Sequence, residues 1–471
     1  MAHLARVGKS GVFRPILRTW MDAIALIDGY PADMLMDMGL VGASLVGALL
    51  GAVIALLPGL HAYTLASMLL VLLPATANGT PSETTVLFLL GVVVGWVMLN
   101  MIPAIFLYAP DDANAGAVLP ATKYMLRGRG AEATLLVGAG SLGALLGLVL
   151  LAPLLDQAFR PLRSILQPHT GWMLVAIIAF MLLGEWPRSN MLTTPIRRLL
   201  SAWAYLGSGL LAFVLSGALG FVLMYRNPLD IMQANQALAP AFMGLFVLPG
   251  ALQMLAFSRK PPRQHAATFD VAASIVLRGT LTGLAGGLFA GFLPVVSGGI
   301  GGLLAGHASS KYDDRLFLIS QGASKVAYYV SSLMLFFVPG LTMVRGGMAG
   351  MLSTTYIPYG WRMYALAVAS IALAGALSFG LLLVFTHLAV LSANKMQPRW
   401  IAFVTIMIAL GITGAWFGGP GLIIAAVGTC IGLLPVLVGG RRMNCLGVLL
   451  LPITLNVIGI GPDVARWLGL L

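Results

Sequence analysis

Apolar stretches of bilayer-crossing length recur along this chain, and two of them are interrupted in the middle. The first is "GAVIALLPGLHAYTLASMLLVLLP", Gly51–Pro74, with Pro58, Gly59 and His61 at its centre. A membrane helix needs about 20 apolar residues. A break inside it frees backbone N–H and C=O groups, because proline lacks a donor and glycine leaves helical geometry easily. Such groups are intolerable against lipid. They persist only where protein or a watery cavity satisfies them. A chain with this feature is therefore a bundle that shelters the break.

Other apolar stretches lie near residues 84–109, 132–155, 171–186, 198–224, 236–257, 271–305, 315–340, 362–391, 399–416, 418–438 and 444–460. Only 9% of the 471 residues are charged and 59% are hydrophobic. The fold class that follows is an all-α polytopic membrane protein with about 10–14 membrane segments. The net charge of +12 reads as basic cytoplasmic loops, or as attraction for an anionic substrate or lipid headgroup. Lys123, Arg127 and Arg129 read as one such loop. No nucleic-acid motif, P-loop or metal-ligand spacing is present, and Cys430 and Cys445 form no disulfide framework. No nucleophile–base pair points to an enzyme. The sequence implies no cofactor and names no metal.

Residues 1–39 lack a signal-peptide pattern, and Pro15–Tyr30 suits an amphipathic surface helix. Arg6, Lys9, Arg14 and Arg18 place the N-terminus in the cytoplasm.

The second broken stretch is "GLAGGLFAGFLPVVSGGIGGLLA", Gly283–Ala305. It matches "GALLGAVIALLPGLHAYTLASML", Gly47–Leu69: small residues at helical spacing, Leu-Pro, an irregular stretch, then apolar residues again. An acidic start (Glu83; Asp313 and Asp314, read as caps) and a glycine about nine residues on (Gly91, Gly322) follow each. The chain is expected to hold two structural repeats, inverted, each with a Pro/Gly-broken helix or re-entrant hairpin. The division is residues 1–39, 40–258 and 259–471. Paired interruptions of this kind point to a transporter's binding site at the repeat interface.

The expected substrate site is Pro58, Gly59, Leu60, His61 and Thr64 from one break and Pro294, Val296, Ser297, Gly298 and Gly299 from the other. Lys325, about 15 Å into its span, joins them. An intramembrane lysine is a functional candidate that would pair with a carboxylate or phosphate, or stand in for a cation; snorkelling or a structural ion pair is the plainer reading. His61, Asn100, Asp111, Asp112 and Asn114 are candidates for Na⁺ or H⁺ coupling. A neutral, backbone-bonded histidine and solvated capping aspartates are the alternatives.

These motifs resemble a known family. "GALLGAVIALLPGLH", the block from Ile102 to Gly147 with "APDDA" and a Gly-Arg-Gly turn, "DDRLFLISQGASK" and "IGLLPVLVGGRRMNCLGVLLLPITL" resemble the large permease subunit of tripartite tricarboxylate transporters. The wording "PGLH", "APDDA" and "GRRMNCLGVLLLP" is nearer to an uncharacterised branch of that superfamily. The resemblance implies uptake of di- and tricarboxylates driven by a cation gradient in a prokaryotic cytoplasmic membrane. It also implies a small membrane subunit and a periplasmic binding protein as partners; a homo-oligomer is a further expectation. Val295 stands where the first repeat has glycine, and His61 and Tyr63 stand among smaller residues; these departures from the family pattern leave the substrate open. A translocase of a phosphate-bearing lipid carrier, such as a polyprenyl phosphate, is the alternative.

Overall fold

The computed structural model describes residues 31–57, 61, 66, 69, 82–107, 118–186, 194–230, 237–257, 262–266, 270–294, 296–309, 313–353, 356–395 and 397–471. Among these residues there are helices and turns but no strand. This is the all-α polytopic membrane architecture expected. The amphipathic reading of Pro15–Tyr30 and the placement of the N-terminus lie outside the described residues.

The first two helices are α1 (Pro31–Ile54) and α2 (Glu83–Leu99). They lie side by side because glycines remove the side chains between them. A Cβ on Gly91 would collide with the Ser44 carbonyl, and one on Gly95 with the Ala48 carbonyl. Gly47 and Gly51 meet Phe88 and Val92 in the same way. These pairings ascend together, so the two helices are parallel. Ser82, rather than Glu83, caps α2 by accepting from the Thr85 N–H at 3.1 Å. Glu83 occupies the first turn, where its charge suits the helix dipole.

A short α3 (Met101–Phe106) extends α2, and α4 (Val118–Leu126) leads to α5 (Gly130–Leu151). Lys123 sits within α4 and not in the expected loop; Arg127 and Arg129 occupy the turn after it. Then come α6 (Leu155–Leu166), α7 (Thr170–Leu183), α8 (Pro195–Tyr225), α9 (Leu238–Phe242) and α10 (Leu248–Phe257).

The second broken segment is α11 (Ala273–Phe292), a non-helical turn, and α12 (Gly298–Ser309). The following helix is α13 (Asp314–Phe337), capped by Asp313, which accepts from the Arg315 N–H at 2.9 Å. Gly283, Gly287 and Gly291 of α11 ascend along Ser320, Ser324 and Ser331 of α13. Gly298, Gly302 and Gly306 of α12 descend past Lys325, Gln321 and Phe317. So α11 and α13 are parallel, and α12 turns back between them. Gly301 lies over Gly286 and Ala290, which closes the hairpin. With 12 residues, α12 is about 18 Å long, too short to cross.

The chain ends with α14 (Gly346–Ser353), α15 (Gly360–Lys395), α16 (Pro398–Val438), α17 (Gly447–Ile458) and α18 (Gly461–Trp467). Among the described residues eight helical runs are long and apolar enough to cross a membrane, or nine if the bent pair Arg442–Ile458 and Gly461–Trp467 is one. Two runs are too long for one crossing. Gly130–Leu183 contains α5, α6 and α7, and α16 breaks at Gly418 (φ 61°, ψ −155°). That break coincides with the boundary expected between 399–416 and 418–438. The helix α13 is too polar to face lipid, yet every residue from Phe317 to Phe337 is buried. It crosses inside protein, not against lipid, which is why it tolerates a polar stripe.

Basic side chains gather at the end of the bundle where α5 and α13 begin and α15 ends. Lys123, Arg127, Arg129, Arg315 and Lys395 lie there. The segment 262–266 is pinned to this end: the Gln264 N–H donates to Asn394 Oδ1 at 2.7 Å, and the His265 N–H to the Gly128 carbonyl at 3.0 Å.

Candidate functional site

Where α2 and α13 cross, they run in opposite directions. Trp96 meets Tyr329, with ring centroids 5.7 Å apart, and one turn further along α2 Asn100 meets Lys325. Spacing by four residues puts Trp96 and Asn100 on one face of α2, and Gln321, Lys325 and Tyr329 on one face of α13. The two faces meet in the interior of the bundle.

Lys325 is 1% exposed. Its Nζ donates to Asn100 Oδ1 at 2.5 Å, and Asn100 is itself buried. A buried ammonium is tolerated only when its donors are met by oxygens. Asn100 therefore serves Lys325 directly. The sequence reading grouped it with Asp111, Asp112 and Asn114, which lie outside the described residues.

His61 is buried at 9% exposure in the first break. Its Nε2 lies 2.9 Å from the Tyr329 hydroxyl. Trp96 and Phe242 enclose the ring at centroid distances of 4.6 and 6.4 Å. The partner of Nε2 is thus a side chain of the distant helix α13. Pro58, Gly59, Leu60 and Thr64 lie outside the described residues.

The second break reaches the same helix. Leu293 leaves helical geometry with ψ 143°, Pro294 turns, and Val296 and Ser297 are buried ahead of α12. Gly298 rests against the Lys325 backbone, and Ser324 Oγ donates to the Gly298 carbonyl at 2.8 Å. A side chain at 298 would push the start of α12 away from Lys325. Gly299 follows within α12, also buried.

Several buried polar atoms around this tip have no hydrogen-bond partner among the described residues: Ser297 Oγ, Gln321 Oε1 and Nε2, and Ser331 Oγ. Leaving such groups unmet costs about 1–3 kcal/mol each. The arrangement combines one ammonium, hydroxyls and an amide in an enclosed space, which is the chemistry that receives an anion with further hydrogen-bonding groups.

Sequence reasoning missed Tyr329, Trp96, Gln321 and Ser331. The signal was present as the stripe Ser320, Gln321, Ser324, Lys325, Tyr328, Tyr329, Ser331 and Ser332 within one otherwise apolar helix. It also missed Arg345, whose Nε donates to the Phe292 carbonyl at 3.0 Å at the last turn of α11. Burial, with Arg163 nearby, lowers the pKa of that guanidinium. No group of three or more His, Cys, Asp or Glu side chains able to hold a metal lies among the described residues.

The comparisons with known proteins agree with this architecture. The model of the tripartite tricarboxylate transporter TctA family matches residues 41–447. An uncharacterised protein of Methanocaldococcus jannaschii is 24% identical over 414 residues, covering 87% of this chain and 96% of that protein. No solved structure matches the chain. With the family model spanning both broken segments and the buried lysine between them, the chain belongs to the tripartite tricarboxylate transporter TctA family, a family of membrane transport permeases.

Proposed function

We propose that this permease moves a small organic anion of the di- or tricarboxylate class across the membrane, with Lys325 as its anion-binding residue. The observation that carries the reading is the buried ammonium of Lys325, held by Asn100 beside the tip of a broken helix. In this reading Ser297, Gln321 and Ser331 hydrogen-bond the substrate, and Gly298 and Gly299 present the N–H groups of the first turn of α12. Helix N-termini favour negative charge.

The mechanism we infer is alternating access between two inverted repeats, residues 40–258 and 259–471. The parallel pair α1/α2 and the parallel pair α11/α13 support it, because α2 and α13 run in opposite directions at their crossing. The breaks then approach the midplane from opposite faces, the arrangement of inverted-repeat transporters. Coupling would use Na⁺ or H⁺, and His61, bonded across the crossing to Tyr329, is the proposed proton carrier. Asp111, Asp112 and Asn114 remain proposed coupling residues. We assign the basic end of the bundle to the cytoplasm of a prokaryotic cell, by the positive-inside rule. This puts Pro31, at the far end of α1, on the outer side and departs from the orientation drawn from Arg6, Lys9, Arg14 and Arg18. A small membrane subunit and a periplasmic binding protein are its proposed partners.

The enclosure of the site favours a small anion over a lipid carrier. Helix α13 is buried along Phe317–Phe337, and the Glu83–Phe106 span is 94% buried over its most apolar window. The test is flux into proteoliposomes. Uptake of radiolabelled citrate, succinate or another carboxylate by the intact chain, abolished by Lys325→Gln, supports the reading. Failure of every carboxylate, with Lys325-dependent movement of a polyprenyl phosphate, replaces it by the lipid-carrier reading.

A further inference from the structure

At the basic end of the bundle, away from Lys325, the family motif "GGRRMN" folds against the end of α7. The Arg441 N–H donates to Glu185 Oε1 at 2.8 Å, and Asn444 Nδ2 donates to the same oxygen at 2.7 Å. Glu185 thus holds the loop through two uncharged donors. The Arg441 guanidinium lies close enough for its charge to act on this carboxylate, yet neither guanidinium is fully met among the described residues. Arg442 Nη2 donates to Gln253 Oε1 at 3.0 Å, a neutral acceptor on α10. The Nη1 atoms of both Arg441 and Arg442 are buried with no acceptor among the described residues. Asn444 is fully buried, and its Oδ1 has no donor among the described residues.

Among the described residues two cationic donors and one acceptor are thus unmet, a set complementary to an anion that also carries a hydroxyl. The surroundings indicate where it comes from. Gly209 of α8 packs against Asn444, and Trp203 lies six residues, about 9 Å, nearer the start of that helix. Trp186 and Trp203 meet edge to face at 5.8 Å and are both exposed. Tryptophan at this level marks the membrane interface. Ile196, Leu200 and Leu437, near these elements in sequence, are exposed apolar side chains of the kind that acyl chains cover. Basic pockets between helices at the cytoplasmic side suit anionic lipid headgroups.

We propose that Arg441, Arg442 and Asn444 form a binding site for the phosphodiester of an anionic phospholipid with a hydroxylated headgroup. The guanidinium groups take the phosphate oxygens, and Asn444 Oδ1 accepts from the headgroup hydroxyl. Bidentate geometry and permanent charge make arginine suited to this task. The site holds structural lipid at the junction of α7, α8, α10 and α17, separate from the transport pathway.

The experiment is native mass spectrometry of the full chain in mild detergent, with phosphatidylglycerol, phosphatidylcholine or inorganic phosphate added. Thermal unfolding is followed on the same samples. The expected result is retention of phosphatidylglycerol at least tenfold tighter than phosphatidylcholine, with a raised Tm. Arg441→Gln/Arg442→Gln abolishes the preference, and Arg441→Lys/Arg442→Lys retains part of it. Arg160→Gln, at the opposite end, leaves it intact. Full competition by inorganic phosphate alone assigns the site to a soluble phosphate instead of a lipid. Equal retention of the two lipids, or a preference unchanged in the double glutamine variant, overturns the proposal. The lysine pair keeps the test valid if the glutamine pair does not fold.

Discussion

Lys325 Nζ donates to Asn100 Oδ1 at 2.5 Å, joining two oppositely directed helices through a bond buried in the bundle. Each residue is 225 positions from the other in sequence. The bond ties the only lysine of α13 to the end of α2, so both ends of the relationship are open to mutation.

Replacing Asn100 with alanine takes an acceptor from a buried ammonium. The expected cost is about 1–3 kcal/mol of stability. Thermal or denaturant unfolding of purified Asn100→Ala measures it, and an unchanged midpoint would show that the bond carries no net stability. Lys325→Gln removes the charge itself. Carboxylate affinity is expected to fall by at least tenfold, about 1.4 kcal/mol or more, in a binding titration.

His61 and Tyr329 form the second bond across the same crossing. A double-mutant cycle with His61→Phe and Tyr329→Phe is expected to show a coupling of about 0.5–1.5 kcal/mol in unfolding free energy. Simple additivity of the two substitutions would mean that the pair is not formed in the protein.

Gly91 packs on the Ser44 carbonyl so closely that no side chain fits. Backbone cannot yield as a side chain can, so Gly91→Val is expected to destabilise by more than the roughly 1–3 kcal/mol of ordinary overpacking. Gly350, where a Cβ meets nothing within 4 Å, is the control. Size-exclusion profiles and melting temperatures of Gly91→Val and Gly350→Ala should separate clearly; similar behaviour would refute the α1/α2 packing.

Glu185 carries a pH prediction. Burial raises its carboxyl pKa, while the Arg441 and Asn444 donors partly oppose the shift. The folded state therefore holds this proton more tightly than the unfolded chain does. Its stabilising contribution is full below the ordinary carboxylate range and is lost as pH rises through the folded value. Melting temperatures of Glu185→Gln, compared with the unaltered chain over the acidic range, should show a flatter pH dependence. Parallel curves would refute the assignment.

Arg345 donates to the Phe292 carbonyl at the end of α11, where such carbonyls lack helical partners. Arg345→Ala is expected to loosen the tip. Hydrogen exchange at Val296–Gly299 should accelerate about tenfold, the equivalent of about 1.4 kcal/mol. Exchange confined to its original rate would show that the tip holds itself.

Much of this protein was legible without coordinates. The apolar stretches dictate membrane helices, because a helix satisfies its own backbone in lipid and continuous apolar runs of this length do not suit the short alternating strands of a barrel. The break at Pro294 was readable, since proline and glycine act locally, and the structure indeed leaves the helix at Leu293. Lys325 was readable as a candidate by its rarity within an apolar run, and the structure buries it. The division between the stretches 399–416 and 418–438 was likewise readable, and α16 breaks at Gly418.

What the sequence left open are the relationships over long separations. Asn100 looked like a cation ligand beside two aspartates, and only the crossing of α2 over α13 made it the acceptor for Lys325. Tyr329 and Trp96 gave no signal of their own, and only the fold set His61 between them. Arg345 lies in a loop with no motif, and the helix end it serves is 53 residues away. Local composition determines which segments are helical, where each must break and which are too polar for lipid. Which side chains meet inside depends on the direction and register of helices far apart in sequence. Those are decided by close packing at glycines such as Gly91 and Gly298, and no local rule contains them.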